Sequence, residues 1–273
     1  MGSGLGQLYV GLPDKKTVQK AELLYFNNHF DIALLLLPFD LSLGIPCLGC
    51  CPDYNQEVFV LGRDKDTSLR VEHGVISWTE GSDYMGRDYY MFLDSEVPEG
   101  GTGGPVIDHN GGFRGMAFEL SPKPAILSIF TIMTCFEMFM HFRCVARPIL
   151  PFSLRTVASV DVDLLECLSL QNIKSGYIVK SVHGDTLAQG CMIWKGDVIV
   201  SLNGRNMLTL PKLEDYLLSL GWENLINKVS TINIKLEVRD LKGGEMRSII
   251  MPVEFCSVPE PLLKGKSASL WVL

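Results

Sequence analysis

The stretch with the most chemistry in it runs Glu99-Gly100-Gly101-Thr102-Gly103-Gly104-Pro105-Val106-Ile107-Asp108, followed by Asn110-Gly111-Gly112-Phe113-Arg114-Gly115-Met116. A single hydroxyl residue among glycines lets the backbone turn tightly, so that successive N–H groups point at one spot beside the side-chain oxygen. Donors placed that way stabilise an oxyanion next to a nucleophile. Taken alone, the same residues also describe a glycine-rich hairpin of no catalytic consequence. A second candidate is Asp31, in Phe30-Asp31-Ile32-Ala33-Leu34-Leu35. In isolation, an Asp before an apolar strand is a turn residue.

The elements that must hold these residues are short strands. Val18, Ala21, Leu23 and Tyr25 alternate with polar neighbours, and Ile32 to Leu37 form an apolar run stopped by Pro38, which predicts two strands joined through Asn27-Asn28-His29. Further strands are expected at Glu57–Gly62, Arg70–Trp78, Tyr89–Leu93 and Phe113–Phe118, with Gly, Asp or Asn between them, the pattern of a β-barrel or sandwich. The most apolar stretch, Ala125 to Val145, contains Glu137, His141 and Arg143, so it reads as a buried strand and a core helix over Thr134–Val145 instead of a membrane span. Pro148 and Pro151 then mark a domain boundary.

On these residues the first part of the chain resembles the trypsin-like proteases, above all the HtrA/Deg family. The glycine-rich stretch is similar to the family's G-N-S-G-G-P-L-x-D-x-x-G-x-x-x-G segment, and Phe30 to Leu35 to its D-I-A-L-L strand. Val58–Gly62 and His73–Ser77 resemble its V-x-A-I-G and T-x-G-I-V-S strands, and Leu12 to Leu35 looks most like plant members. The resemblance covers residues 10 to 147, the family's protease domain without its first strands. It implies a nucleophile position at Thr102, an oxyanion hole framed by the N–H groups of Gly100 and Thr102, and a triad carboxylate at Asp31.

The sequence departs from the family at two of the three triad positions. Trypsin-like enzymes place His, Asp and Ser in that chain order, so the base should stand well upstream of Asp31. The only histidine there is His29, two positions away, where an extended strand would send both side chains to the same side. His73, His109, His141 and His183 match no base in the family. Thr102 replaces the serine, and its β-methyl restricts χ1 and crowds the place where base and substrate meet. Loss of a triad member costs about 10⁴-fold or more. The incomplete first barrel also leaves sheet edges to be covered, by the N-terminal strands or by a partner.

Beyond the boundary, strands are expected at Gly176–Val182, Asp197–Leu202, Thr231–Arg239 and Met246–Val253, the last two joined across Lys242-Gly243-Gly244, with a helix over Lys212–Leu220 introduced by Pro211. Gly176 to Val182, Asp185 to Ala188 and above all Ile193 to Gly204 resemble a PDZ domain, the last run being similar to its G-L-x-x-G-D-V-I-x-x-I-N-G core. PDZ domains add a peptide C-terminus as a strand while loop N–H groups hold its carboxylate. The resemblance places that loop at Leu150, Pro151 and Phe152, facing a helix that bears Leu213, Tyr216 and Leu217. Pro151 stands in place of the family's glycine and has no N–H to donate.

The expected fold is mainly β: a truncated trypsin-like double-barrel domain (1–147), an α+β PDZ domain (148–256) and a loosely held tail (257–273). With 273 residues, 47% hydrophobic content and a net charge of −7, the chain can bury two cores but lacks the clustered Lys and Arg that nucleic acid requires. No signal peptide or spanning segment is visible, Gly2 lacks the Ser or Thr of a myristoylation motif at Gly6, and an intracellular setting is expected. The eight cysteines read as reduced thiols, with Cys47, Cys50 and Cys51 as small core residues instead of a zinc site. No cofactor or metal is expected. The resemblance implies partners that are polypeptide C-termini, unfolded segments or related Deg subunits. Three functions stay open: a pseudoprotease that binds polypeptides or sister subunits, an active serine-type endopeptidase using Thr102 or a histidine from another chain, and a fragment without function.

Overall fold

The computed structural model describes residues 7–38, 46–77, 89–121, 123–182, 190, 192–206, 209–241 and 243–256. Among these residues no helix is long and apolar enough to cross a membrane. The contacts divide the chain into two units, one holding residues up to 78 and 91–140, the other 89–90 and 141–256.

The first unit contains a three-stranded sheet and a closed barrel. The sheet is β1 (Leu8–Gly11), β2 (Val18–Asn27) and β3 (Ile32–Leu36) in that order, all antiparallel. The predicted pair over residues 18–37 is present, and β1 extends it. The barrel closes in the order β4 (Glu57–Arg63), β5 (Leu69–Ser77), β6 (Met91–Leu93), β9 (Ala125–Ser128), β8 (Phe113–Phe118), β7 (Pro105–Ile107). Period-two alternation puts Val58 and Val60 of β4 inside with Ile76, Leu93, Val106, Ala117 and Ile126, each at most 1% exposed. Closure leaves these strands no unpaired edge.

Helix α1 (Ile129–Phe142) starts five residues before the predicted Thr134. The β-branched Ile129, Thr131 and Ile132 favour strand locally, but all three are buried, and tertiary burial outweighs propensity. The Ser128 hydroxyl accepts the Phe130 N–H at 3.2 Å at the helix entry.

The second unit is a six-stranded antiparallel sheet in the order β10 (Arg147–Pro148), β15 (Met246–Cys256), β14 (Thr231–Arg239), β13 (Val198–Leu202), β12 (Tyr177–Val182), β11 (Phe152–Thr156). It carries α2 (Val162–Leu170), a 3₁₀ turn at Val157–Ser159 and α3 (Leu210–Asn227). α2, absent from the sequence reading, is started by Asp161, whose side chain accepts the Leu164 N–H at 2.9 Å. α3 runs well past the expected stop at Leu220, because Gly221 is a packing residue. A Cβ there would lie 1.9 Å from the Ala146 carbonyl oxygen, so glycine is what lets the helix seat against that backbone. Arg147 of β10 and Glu214 of α3 pair bidentately, with Nη2 to Oε2 at 2.8 Å.

Candidate functional site

The segment joining β6 to β7 is built from two tight turns. Gly101 donates to the Pro98 carbonyl at 2.7 Å and Gly104 to that of Gly101 at 2.9 Å, while Gly100 and Gly103 adopt φ of +72° and +78°. Its far end is tied to β8 by Gly103 N–H to Ala117 O at 2.7 Å and Ala117 N–H to Gly104 O at 3.0 Å. The glycines also fit the segment against β4. A Cβ on Gly100 would meet the Arg63 carbonyl oxygen at 2.0 Å, one on Gly104 the Leu61 oxygen at 2.2 Å, and one on Gly62 the Gly101 Cα at 2.7 Å. Backbone packs directly on backbone here, so much of the glycine signature answers to packing.

Thr102 is half-buried at the centre of this loop, and its Oγ1 accepts the Glu119 N–H at 3.2 Å. Among the described residues no imidazole is hydrogen-bonded to that hydroxyl, and neither the Gly100 nor the Thr102 N–H has a backbone partner. Downstream the chain is rigidly held. Asp108, 7% exposed, accepts the Asn110 and Gly112 N–H groups at 2.8 Å each through Oδ1 and the Arg114 Nε at 2.9 Å through Oδ2. The Arg114 hydrogen bond, then the Gly112 N–H, hold the Asp108 carboxyl below the usual carboxylate range. Arg114 also donates to the Cys50 carbonyl at 2.9 Å.

Asp31 lies in the β2–β3 turn with φ +53°, following an Asx turn in which the Asn27 carboxamide oxygen accepts the N–H groups of His29 at 2.9 Å and Phe30 at 3.0 Å. The His29 ring packs edge-on to Phe30 at 4.6 Å. His73 stands opposite Phe59 in the β4–β5 ladder, with rings 5.2 Å apart. His109 Nε2 is 2.7 Å from the Glu57 carboxylate, and His141 packs on Trp222 at 5.8 Å. His183 is outside the described residues.

One feature was not signalled by the motifs. An apolar cleft of about 720 Å³ borders the loop at Gly103, Gly104 and Pro105, with Ile32 and Leu34 of β3 and Phe136 of α1 on its walls. Cys47, Cys50 and Cys51 are exposed, not core residues, because this segment runs alongside β8 through the Leu48–Phe113 bridge and leaves the thiols outside. Among the described residues no cluster of His, Cys, Asp and Glu could hold a metal.

In the second unit, Pro151 forms the bend into β11, and Leu150 packs half-buried against the core. Phe152, Leu213 and Leu217 belong to that core, each at most 4% exposed, and Tyr216 lies at its margin. The Tyr216 hydroxyl accepts from Asn203 Nδ2 at 3.0 Å, and the Arg205 guanidinium sits 4.9 Å from its ring.

Residues 6–116, which include both Asp31 and Thr102, match the family of trypsin-like peptidase domains. No curated protein matches the chain in sequence. Among solved structures, the HtrA-type protease AlgW with a tripeptide superposes with a TM-score of 0.61 at 19% identity, covering 93% of this chain and 82% of that one. The same protease with a decapeptide gives 0.58 at 17% identity, covering 95% and 78%. The serine endoprotease from Yersinia pestis gives 0.53 at 15%, covering 93% and 81%. The chain thus has the fold of the HtrA-type proteases, with a trypsin-like peptidase match over residues 6–116.

Proposed function

We propose that this chain is an HtrA/Deg-type pseudoprotease, of the plant-like branch, that binds polypeptide segments or sister subunits without hydrolysing them. The domain division is that of the motifs: a protease-like domain over 1–147 and a PDZ module over 148–256. The observation that carries the reading is the setting of Thr102. Its hydroxyl accepts a backbone N–H from Glu119, and among the described residues it has no imidazole to take its proton. Without a base the hydroxyl stays protonated near neutral pH and is a poor nucleophile. Asp31 is then a turn residue. The glycine loop keeps its shape because β4 requires it, even where the chemistry has lapsed.

Peptide binding has separate support. AlgW, which shares the fold, was solved with a tripeptide and with a decapeptide. Binding needs no triad, only a sheet edge and apolar side chains beside it. The test is incubation of purified protein with casein and with a fluorophosphonate probe. Neither cleavage nor labelling is expected. Labelling at Thr102, abolished by Thr102→Ala, would refute the pseudoprotease reading.

A further inference from the structure

We infer that the β11 edge of the second unit takes an internal extended segment of a polypeptide and does not select a free C-terminus. The inference rests on the peptide-binding reading above and specifies its ligand class. Among the described residues β11 pairs only with β12 and ends the six-stranded sheet, so its outer edge presents main-chain N–H and C=O groups to an incoming strand.

A terminal carboxylate needs converging N–H donors or a cation at the entry to that strand. In this chain the entry is residues 149 to 152. The Ile149 N–H already donates to the Glu254 carbonyl at 2.9 Å, and Pro151 has no N–H. The nearby cation, Arg147, is engaged by both carboxylate oxygens of Glu214 and also donates to the Pro148 carbonyl. α3 has no basic residue in its last turn. Phe152, Leu213 and Leu217, which would line a pocket for the terminal side chain, are packed into the core instead. A bare carboxylate docked here would find neither the Ile149 N–H, nor an N–H at position 151, nor the Arg147 guanidinium available, and so would recover less of its lost hydration than a loop of free donors provides. A neutral peptide bond at the same place has no such cost, so strand addition continues past the entry in both directions.

The probe is a fluorescein-labelled pool of ten-residue peptides, apolar at alternate positions, made once with a free C-terminus and once as the amide. Fluorescence anisotropy gives the two Kd values. Equal affinities, within about threefold, are expected. A free acid bound more than about tenfold tighter, the preference that one or two charge-assisted hydrogen bonds would give, overturns the inference and leaves peptide binding intact. Failure of both pools to bind at millimolar concentration overturns the peptide-binding reading and the inference with it. Pro151→Gly supplies the missing donor and is expected to create a preference for the acid of about tenfold. If circular dichroism shows that variant folded and it gains no preference, Pro151 is not the determinant and the inference fails.

Discussion

The glycines around Thr102 can be separated into strain and contact by comparing Gly100→Ala with Gly111→Ala. Both positions have positive φ, +72° and +75°, so each alanine pays the left-handed cost of about 1–2 kcal/mol. Their surroundings differ. Nothing lies within 4 Å of a Cβ on Gly111, whereas a Cβ on Gly100 would be 2.0 Å from the Arg63 carbonyl oxygen, well inside the 3.4 Å where ordinary contact begins. That oxygen belongs to Arg63, the last residue of β4, which is paired with Leu69 of β5, so it cannot yield without disturbing the end of that ladder. The loop must move instead, breaking the turns held by Pro98 and Ala117. We expect about 1–2 kcal/mol from Gly111→Ala and at least about 3 kcal/mol more from Gly100→Ala, which belongs with the large-effect substitutions. For a chain of this size, that corresponds to losses of a few degrees and of about 10 °C or more in Tm by scanning calorimetry. Equal losses from the two variants would refute the close packing of the loop on β4.

Three further outcomes are expected. Glu214→Ala strands the Arg147 guanidinium, which is 24% exposed, and should cost roughly 3–5 kcal/mol in urea unfolding followed by tryptophan fluorescence; the double variant with Arg147→Met should recover most of it, and a single-variant loss below about 1 kcal/mol would argue against the pair. Asp108 has a folded-state pKa lowered from 3.8, chiefly by Arg114, and Asp64 one lowered chiefly by the Ser68 N–H. Their contribution to stability is therefore full above the unfolded value near 3.8 and is lost as pH falls through the lower folded values; Asp108→Asn should flatten the acid limb of stability measured by circular dichroism, and an unchanged limb would contradict the assignment. On the pseudoprotease reading, Thr102→Ser supplies a serine hydroxyl with no imidazole hydrogen-bonded to it among the described residues, so casein hydrolysis should stay at background, and a large gain would reveal an imidazole within reach.

The sequence made the strands around the site legible, because β4, β5 and β8 are short runs bounded by turn residues, and β4 buries every second side chain. It was less informative where tertiary contact reverses local preference. α1 begins in β-branched residues, and α3 continues through Gly221 because a neighbouring carbonyl requires a residue without a side chain. α2 had a legible start in Asp161 but only a weak apolar face, with Leu168 its sole buried residue. At the site, Thr102 and the glycines could be read as motif. That Gly62, Gly100 and Gly104 pack backbone against backbone could not, because it depends on a contact between segments some forty residues apart.

The three-stranded sheet has a consequence for the motions of the first unit. All its pairings are between consecutive strands, β1 with β2 and β2 with β3, whereas the barrel closes on itself through β4 and β7. A sheet made only of neighbours can open from its β1 end by fraying, one strand at a time, while the barrel must break a circuit to open at all. Among the strands of the first unit, amide protons of Leu8–Gly11 are therefore expected to exchange fastest with solvent deuterium, and those of β4 the slowest.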